Sequence, residues 1–334
     1  MALSRRPLLA GASLLGLGAV LPAGGANGQA AARWQCATPY PDGNFHTRNL
    51  RQMLEEVAQA TGGAVNVQMH SNASLLPMPQ IKAGVQRGQV QMGEVLISAY
   101  GNEDPFFEVD SIPQLVTSTD QARRLRAQAR PFVEARFARQ GLILLYEVPW
   151  PPSGLYTLAP VPTVEALRGT RMRTFNVMTN RFATLVGATP TLVQAAEIPQ
   201  AFATGVVNAM VTSAQTGVDS QAWDFAKVFT PIGFTRTFNT IFVQRRAFEA
   251  LPDPQQEALR AAAAKAEARG WQLSDEAAAT QQAMLGSRGM QVAQPTPELL
   301  AGLAAVGATL AEEWATRAGE DGRRVLAAYR AGAA

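Results

Sequence analysis

The chemistry open to this chain begins at Arg171-Met172-Arg173. A guanidinium is planar, keeps its charge at ordinary pH, and can grip a carboxylate through two parallel hydrogen bonds. For an arginine taken alone, a surface or interdomain ion pair is the ordinary outcome. Other chemistries lack their parts. Histidine occurs only at positions 46 and 70, and Cys36 is the single cysteine, too few for a His/Cys metal site. Gly-x-Ser-x-Gly, the P-loop and Gly-x-Gly-x-x-Gly are all missing. Neither His46 nor His70 sits in a motif, so no catalytic residue, metal or cofactor is expected.

The elements that must carry these residues read as alternating strands and helices. Leu50, Met53, Leu54 and Val57 recur at helical spacing until Gly62-Gly63, with His46 near the helix start. Val65 to Met69 alternates as a strand that His70 ends. A helix over 79–87, a strand over 90–96, a long helix over 120–140 and a strand over 142–146 follow. Pro149-Trp150-Pro151-Pro152-Ser153-Gly154 then reads as a boundary, because proline stiffens the chain and removes donors. A second α/β run begins beyond it: a strand over 155–158, a short helix over 164–167 ended by Gly169, and a strand edge over 171–173. A helix over 180–186 and a strand over 206–211 come next, and a long strand over 238–243 could return to the first half. Asp253-Pro254 with Gln256 predicts a helix start with Asp253 as N-cap, on an Ala-rich helix running into the 280s. Thr296-Pro297 starts the last helix in the same manner.

The first thirty residues carry Arg5-Arg6, an apolar run from Ala12 to Leu21, and a small-x-small site at Gly28-Gln29-Ala30. This predicts a signal peptide over 1–30, twin-arginine-like or an ordinary Sec signal, and a periplasmic location. The chain holds 29 Lys and Arg against 26 Asp and Glu. Removing Arg5 and Arg6 leaves an excess of one positive charge, so no nucleic-acid or membrane-surface field is expected. Arg123, Arg124, Arg126, Arg130, Arg136 and Arg139 share one predicted helix and read as a solvated face. Beyond the leader no apolar run is long enough to span a bilayer, so no direct membrane insertion is expected. Roughly 300 remaining residues predict two domains.

From residue 168 the sequence resembles the solute receptors of TRAP transporters, the DctP type. The resemblance rests on Arg168-Gly169-Thr170-Arg171-Met172-Arg173, Asn176, Gly187-Ala188-Thr189-Pro190, Glu197 with Ala201-Phe202, and Gly205-Val206-Val207-Asn208-Ala209. Gln80-Ile81 with Gly88-Gln89-Val90-Gln91 upstream, and Ala250-Leu251-Pro252 with Gln255-Gln256 downstream, extend it over nearly the whole mature chain. It implies an α/β, two-lobed periplasmic-binding-protein-like fold with hinge-crossing strands and a long C-terminal helix. Lobe I would comprise 31–150 with 239–280, and lobe II 151–238 with 281–334. It also implies a monomeric receptor that closes on an organic acid and delivers it to small and large TRAP membrane subunits.

Within this resemblance the last arginine of the segment, Arg173, holds the ligand carboxylate, and Arg171 is expected to be exposed. Asn176 either helps hold the same carboxylate or caps the next helix. Thr212 is a polar ligand contact, with Ser213 capping the helix that follows. Some dicarboxylate or sialic-acid receptors carry a second arginine after the hinge, where this chain has Ser153-Gly154-Leu155-Tyr156. The loop after the 90–95 strand supplies Leu96, Ile97 and Ala99. With Trp150 and Tyr156 nearby, the pocket leans apolar or aromatic, which favours a monocarboxylate. Trp150 could stack on a flat ligand or fill the hinge core. Tyr40 and Phe45 are further candidates, and Glu94 could accept a ligand hydroxyl or stand exposed at a strand end. The alternatives are a receptor for an ABC-type or tripartite tricarboxylate transporter, a receptor feeding a sensor kinase, and, further off, a periplasmic enzyme.

Overall fold

The computed structural model describes residues 32–332. The predicted leader at 1–30 lies outside the described residues. The first lobe is built from β1 (Ala32–Ala37), α1 (Phe45–Ala60), β2 (Val65–His70), α2 (Met78–Gln86), β3 (Met92–Leu96), α3 (Thr119–Arg139) and β4 (Leu142–Pro149). β1 runs parallel to both β2 and β3, as βαβ connections require. Leu50, Met53, Leu54 and Val57 bury one face of α1. Gly62 and Gly63 end that segment at φ 57° and 81°, a region that only glycine enters cheaply.

The second lobe holds β5 (Ser153–Thr157), β6 (Arg171–Thr174), α4 (Val177–Leu185), β7 (Thr189–Leu192), α5 (Ile198–Ala203), β8 (Ala209–Ser213), α6 (Ala214–Asp219) and β9 (Val228–Thr230). The chain then returns. β10 (Phe238–Gln244) inserts antiparallel between β3 and β4, giving the first sheet the order β2-β1-β3-β10-β4. After α7 (Arg245–Glu249) and α8 (Asp253–Ser287), β11 (Gln291–Val292) completes the second sheet as β11-β9-β5-β8-β6-β7. α9 (Pro297–Arg317) and α10 (Gly319–Ala331) close the described chain.

Two segments cross between the sheets, β4 to β5 and β9 to β10, and they are bonded to each other. Trp150 donates its backbone N–H to Thr237 at 2.7 Å, and Ser153 donates to Thr235 at 3.0 Å. α8, 35 residues long, packs on α1 and β4 of the first lobe and on α6 of the second. The fold is thus two-lobed α/β with crossing strands and a long helix laid over both halves.

Several local expectations change. α8 begins one residue earlier than predicted, with Pro252 at the cap position, and the Gln256 side chain turns back to the Leu251 carbonyl. Val206 and Val207 precede β8 rather than form it, and Val206 is exposed. α10 packs on α9 and also reaches α3 of the first lobe, and Tyr329 donates to the Leu115 carbonyl. The α3 arginines are not all a solvated face, although Arg123 and Arg139 are exposed. Arg136 is buried between Asp104 and Asp321, Arg126 and Arg130 pair with Glu267 of α8, and Arg123 lies 4.3 Å from the Trp271 ring. Among the described residues no helix is long and apolar enough to cross a membrane.

Candidate functional site

Between the lobes lies a narrow cavity of about 40 Å³, lined by Tyr40, Leu96, Trp150, Arg173, Phe175 and Thr212 with Met78, Ser153, Ala195, Ser213, Thr216 and Thr237. It opens into a groove of about 320 Å³ that shares Tyr40, Trp150, Ala195 and Thr216. β6 pairs parallel with β7 and β8 and brings Arg173 toward its C-terminal end, the edge where open α/β sheets place ligands. Arg171 lies on the same strand face but near its start, where it is exposed and donates from Nε to the Gly205 carbonyl at 2.7 Å. Depth along the strand separates the two arginines.

Arg173 is 3% exposed. Its Nε donates to the Val193 carbonyl at 2.9 Å, which fixes the plane of the fork. Nη1 and Nη2 bond to none of the described residues, and no described carboxylate pairs with the group. Burial pushes its pKa down to about 10, so it remains charged at neutral pH. An unpaired buried charge costs several kcal/mol. The larger depression behind the first lobe, about 610 Å³ between α3, β4 and α8, also holds arginines. There Arg126 and Arg130 are already matched by Glu134 and Glu267. Among the described residues Lys82, Arg136 and Arg236 are also buried, and each has an acid; Arg173, in the cleft, has none.

The opposite wall is aromatic and tightly held. Tyr40 and Trp150 meet edge to face with ring centroids 5.0 Å apart, and His46 lies 4.5 Å from Trp150. His46 is buried, and desolvation drives its pKa well below the ordinary histidine value, so it is a neutral packing residue. Behind the wall, Asn239 accepts from Trp150 Nε1 at 2.8 Å and from the Tyr40 hydroxyl at 3.0 Å, and donates to Glu94 at 3.0 Å. Glu94 also accepts from Thr38. Glu94 is therefore neither exposed nor on the cavity surface; burial raises its pKa to about 7. Sequence reasoning missed Asn239. The available signal was a polar pair, Asn239-Thr240, inside the otherwise apolar 238–243 strand.

Of the predicted site residues, Arg173, Thr212, Trp150, Leu96 and Tyr40 converge on the cavity. Ser213 caps α6, accepting from the Thr216 N–H at 3.1 Å. Tyr156 does not reach the site. Its position on β5 alternates with Ser153, and its ring packs on Phe229 in the second lobe's core, with the hydroxyl bonded to the Ser213 carbonyl. Asn176 does not reach the site either. It caps α4 in a capping box, and its amide donates to Ser98 at 3.0 Å and Ser111 at 2.9 Å. Its polar atoms are used up in that cap and in a tie between the lobes. A second tie runs from Asn44 to Asp219 at 2.7 Å. Phe45 packs behind Trp150 rather than on the cavity. No group of three metal-ligating side chains occurs among the described residues.

The family model for bacterial extracellular solute-binding protein, family 7 (DctP) matches residues 37–317. DctP7 of Bordetella pertussis, an extracytoplasmic solute receptor binding pyroglutamic acid, is 44% identical, covering 90% of this chain and 100% of that one with a TM-score of 0.88. DctP6 of Bordetella pertussis, likewise a receptor binding pyroglutamic acid, is 39% identical, covering 90% and 99% with a TM-score of 0.88. A marine metagenome TRAP solute binding protein from an unidentified microbe, specific for pyroglutamate, is 32% identical, covering 90% and 99% with a TM-score of 0.87. With its two-lobed fold and this match, the chain belongs to the bacterial extracellular solute-binding protein family 7, the DctP-type receptors of TRAP transporters.

Proposed function

We propose that this receptor captures a small cyclic monocarboxylate, with pyroglutamate as the lead ligand, and hands it in the periplasm to the small and large membrane subunits of a TRAP transporter. The observation that carries the reading is Arg173: a buried guanidinium with both Nη groups unbonded among the described residues, turned toward an interlobe cavity. Nη1 and Nη2 can take one carboxylate end-on as a parallel pair of bonds. Leu96 and Trp150 supply the apolar wall for the ligand body, and Thr212 supplies a hydroxyl from the second lobe. The narrow cavity supports a compact ligand over a bulky one, and the receptors at 44%, 39% and 32% identity bind pyroglutamate.

A ligand fixed to Arg173 on one lobe and to the Tyr40–Trp150 wall on the other favours the closed form. Differential affinity for that form is what shifts the open–closed balance. Protein unfolded and refolded to remove retained ligand, then titrated calorimetrically with L-pyroglutamate, should bind one equivalent saturably. Tighter binding of a C4-dicarboxylate would refute the monocarboxylate assignment, and unchanged binding by Arg173→Ala would refute the site.

A further inference from the structure

The aromatic wall fixes the positions of protons as well as shape. Trp150 Nε1 can only donate. The Asn239 atom 2.8 Å from it is therefore the carbonyl oxygen, and the Asn239 nitrogen is the atom 3.0 Å from Glu94. The Tyr40 hydroxyl lies 3.0 Å from that same oxygen, which has no hydrogen to give. Tyr40 must donate. A phenol has one hydrogen, and once it is committed the oxygen offers only lone pairs elsewhere. The nearby Met78 sulfur, 4.0 Å away, supplies no hydrogen either. Desolvation and the neighbouring Glu94 hold the Tyr40 pKa well above the ordinary value, so the hydroxyl keeps its proton. Ser153, Thr212, Ser213, Thr216 and Thr237 also line the cavity, but an aliphatic hydroxyl can rotate to donate or accept. Tyr40 cannot, and it lines the same cavity as Arg173.

Building on the carboxylate reading above, we infer that Tyr40 is a specificity-determining residue: it accepts a hydrogen bond from an N–H next to the ligand's carboxylate, and so selects lactam acids over isosteric acids with oxygen or carbon at that position. Asn239 and Glu94 are positioning residues that keep the Tyr40 proton turned away from the ligand. A ring oxygen facing Tyr40 would set lone pair against lone pair in a buried site, where an unmatched polar group is costly.

The test titrates wild-type protein with L-pyroglutamate and with (S)-5-oxotetrahydrofuran-2-carboxylate, the lactone with ring oxygen in place of N–H. The lactone should bind about 10- to 100-fold more weakly. In Tyr40→Phe the ratio between the two should shrink to within about threefold, because the acceptor that distinguishes them is gone. Equal binding of both ligands by wild type overturns the Tyr40 assignment and leaves the carboxylate reading standing. Failure of both to bind overturns the two together. A ratio that survives in folded Tyr40→Phe places the discrimination elsewhere and also refutes it. Equal binding by wild type overturns the assignment even where the variant does not fold, and Tyr40→Leu offers the same comparison if Tyr40→Phe fails.

Discussion

The two lobes treat buried charge in opposite ways. The first buries four acids, Glu94, Glu108, Asp110 and Glu147, and each meets a polar or cationic side chain of the protein. Glu94 accepts from Thr38 and Asn239, Asp110 from Ser111 and the Phe238 N–H, Glu147 from Thr240, and Glu108 faces Arg317. The second lobe buries Arg173 with one backbone carbonyl and no acid among the described residues. Acids that carry internal partners serve the architecture, whereas a cation without one is set up for a partner that arrives from outside. The contrast separates a structural charge from a binding charge without reference to position in the chain.

The most severe challenge to that contrast is Arg173→Ala. Losing one member of a buried charge pair costs about 2–5 kcal/mol of binding, so affinity for the acid should fall by well over tenfold. Melting of the ligand-free protein should hold steady or rise, because an uncompensated buried charge has been removed. A melt that collapses instead would make Arg173 a structural residue like the acids. Arg173→Lys gives a smaller loss, since a point charge replaces the two-pronged donor. Calorimetry on the pair ranks geometry against charge.

Asn176→Ala tests the correction at the α4 cap. It should lower stability by about 1–2 kcal/mol, with affinity falling only as far as the lost tie between lobes permits. An affinity loss matching that of Arg173→Ala would return Asn176 to the ligand site. The smallest effect concerns pH. Burial raises Glu94, Asp110 and Glu147 to about 7, from ordinary values near 4. Between those limits the folded chain keeps protons that the unfolded chain has released, so stability falls as pH rises from about 4 to 7. Each such group contributes at most about 1.4 kcal/mol per pH unit. Glu94→Gln should flatten the melting-temperature slope between about pH 4 and 7, and an unchanged slope would show that Glu94 does not titrate there.

Periodicity and punctuation in the sequence were enough to read the alternation of strands and helices, the Pro-rich crossing, the return of the 238–243 strand and the Ala-rich helix. Those features are local, set by residue spacing and by glycine and proline geometry. Arg173 was legible through a motif. Tyr156 was misread because adjacency to the hinge says nothing about which side of a strand the ring takes. Its hydroxyl in fact sits where a Cβ on Gly217 would come within 2.0 Å. Asn176 was left between two roles, and only the positions of Ser98 and Ser111, 78 and 65 residues away in sequence, decide it. Arg126 and Arg136 looked solvated because Glu267 of α8 and Asp321 of α10, which pair with them, lie in no local window.

Gly270 sits midway along α8, where a Cβ would come within 2.3 Å of Val148, two residues before Trp150 and the crossing. The longest helix among the described residues therefore lies tight against the sheet beside the place where the chain crosses between lobes. A fulcrum placed there has almost no lever arm, so a swing of one lobe displaces the helix little at that contact. One extra methyl group at residue 270 would act as a shim under the pivot, changing the resting angle of the jaws without altering anything that the cargo meets.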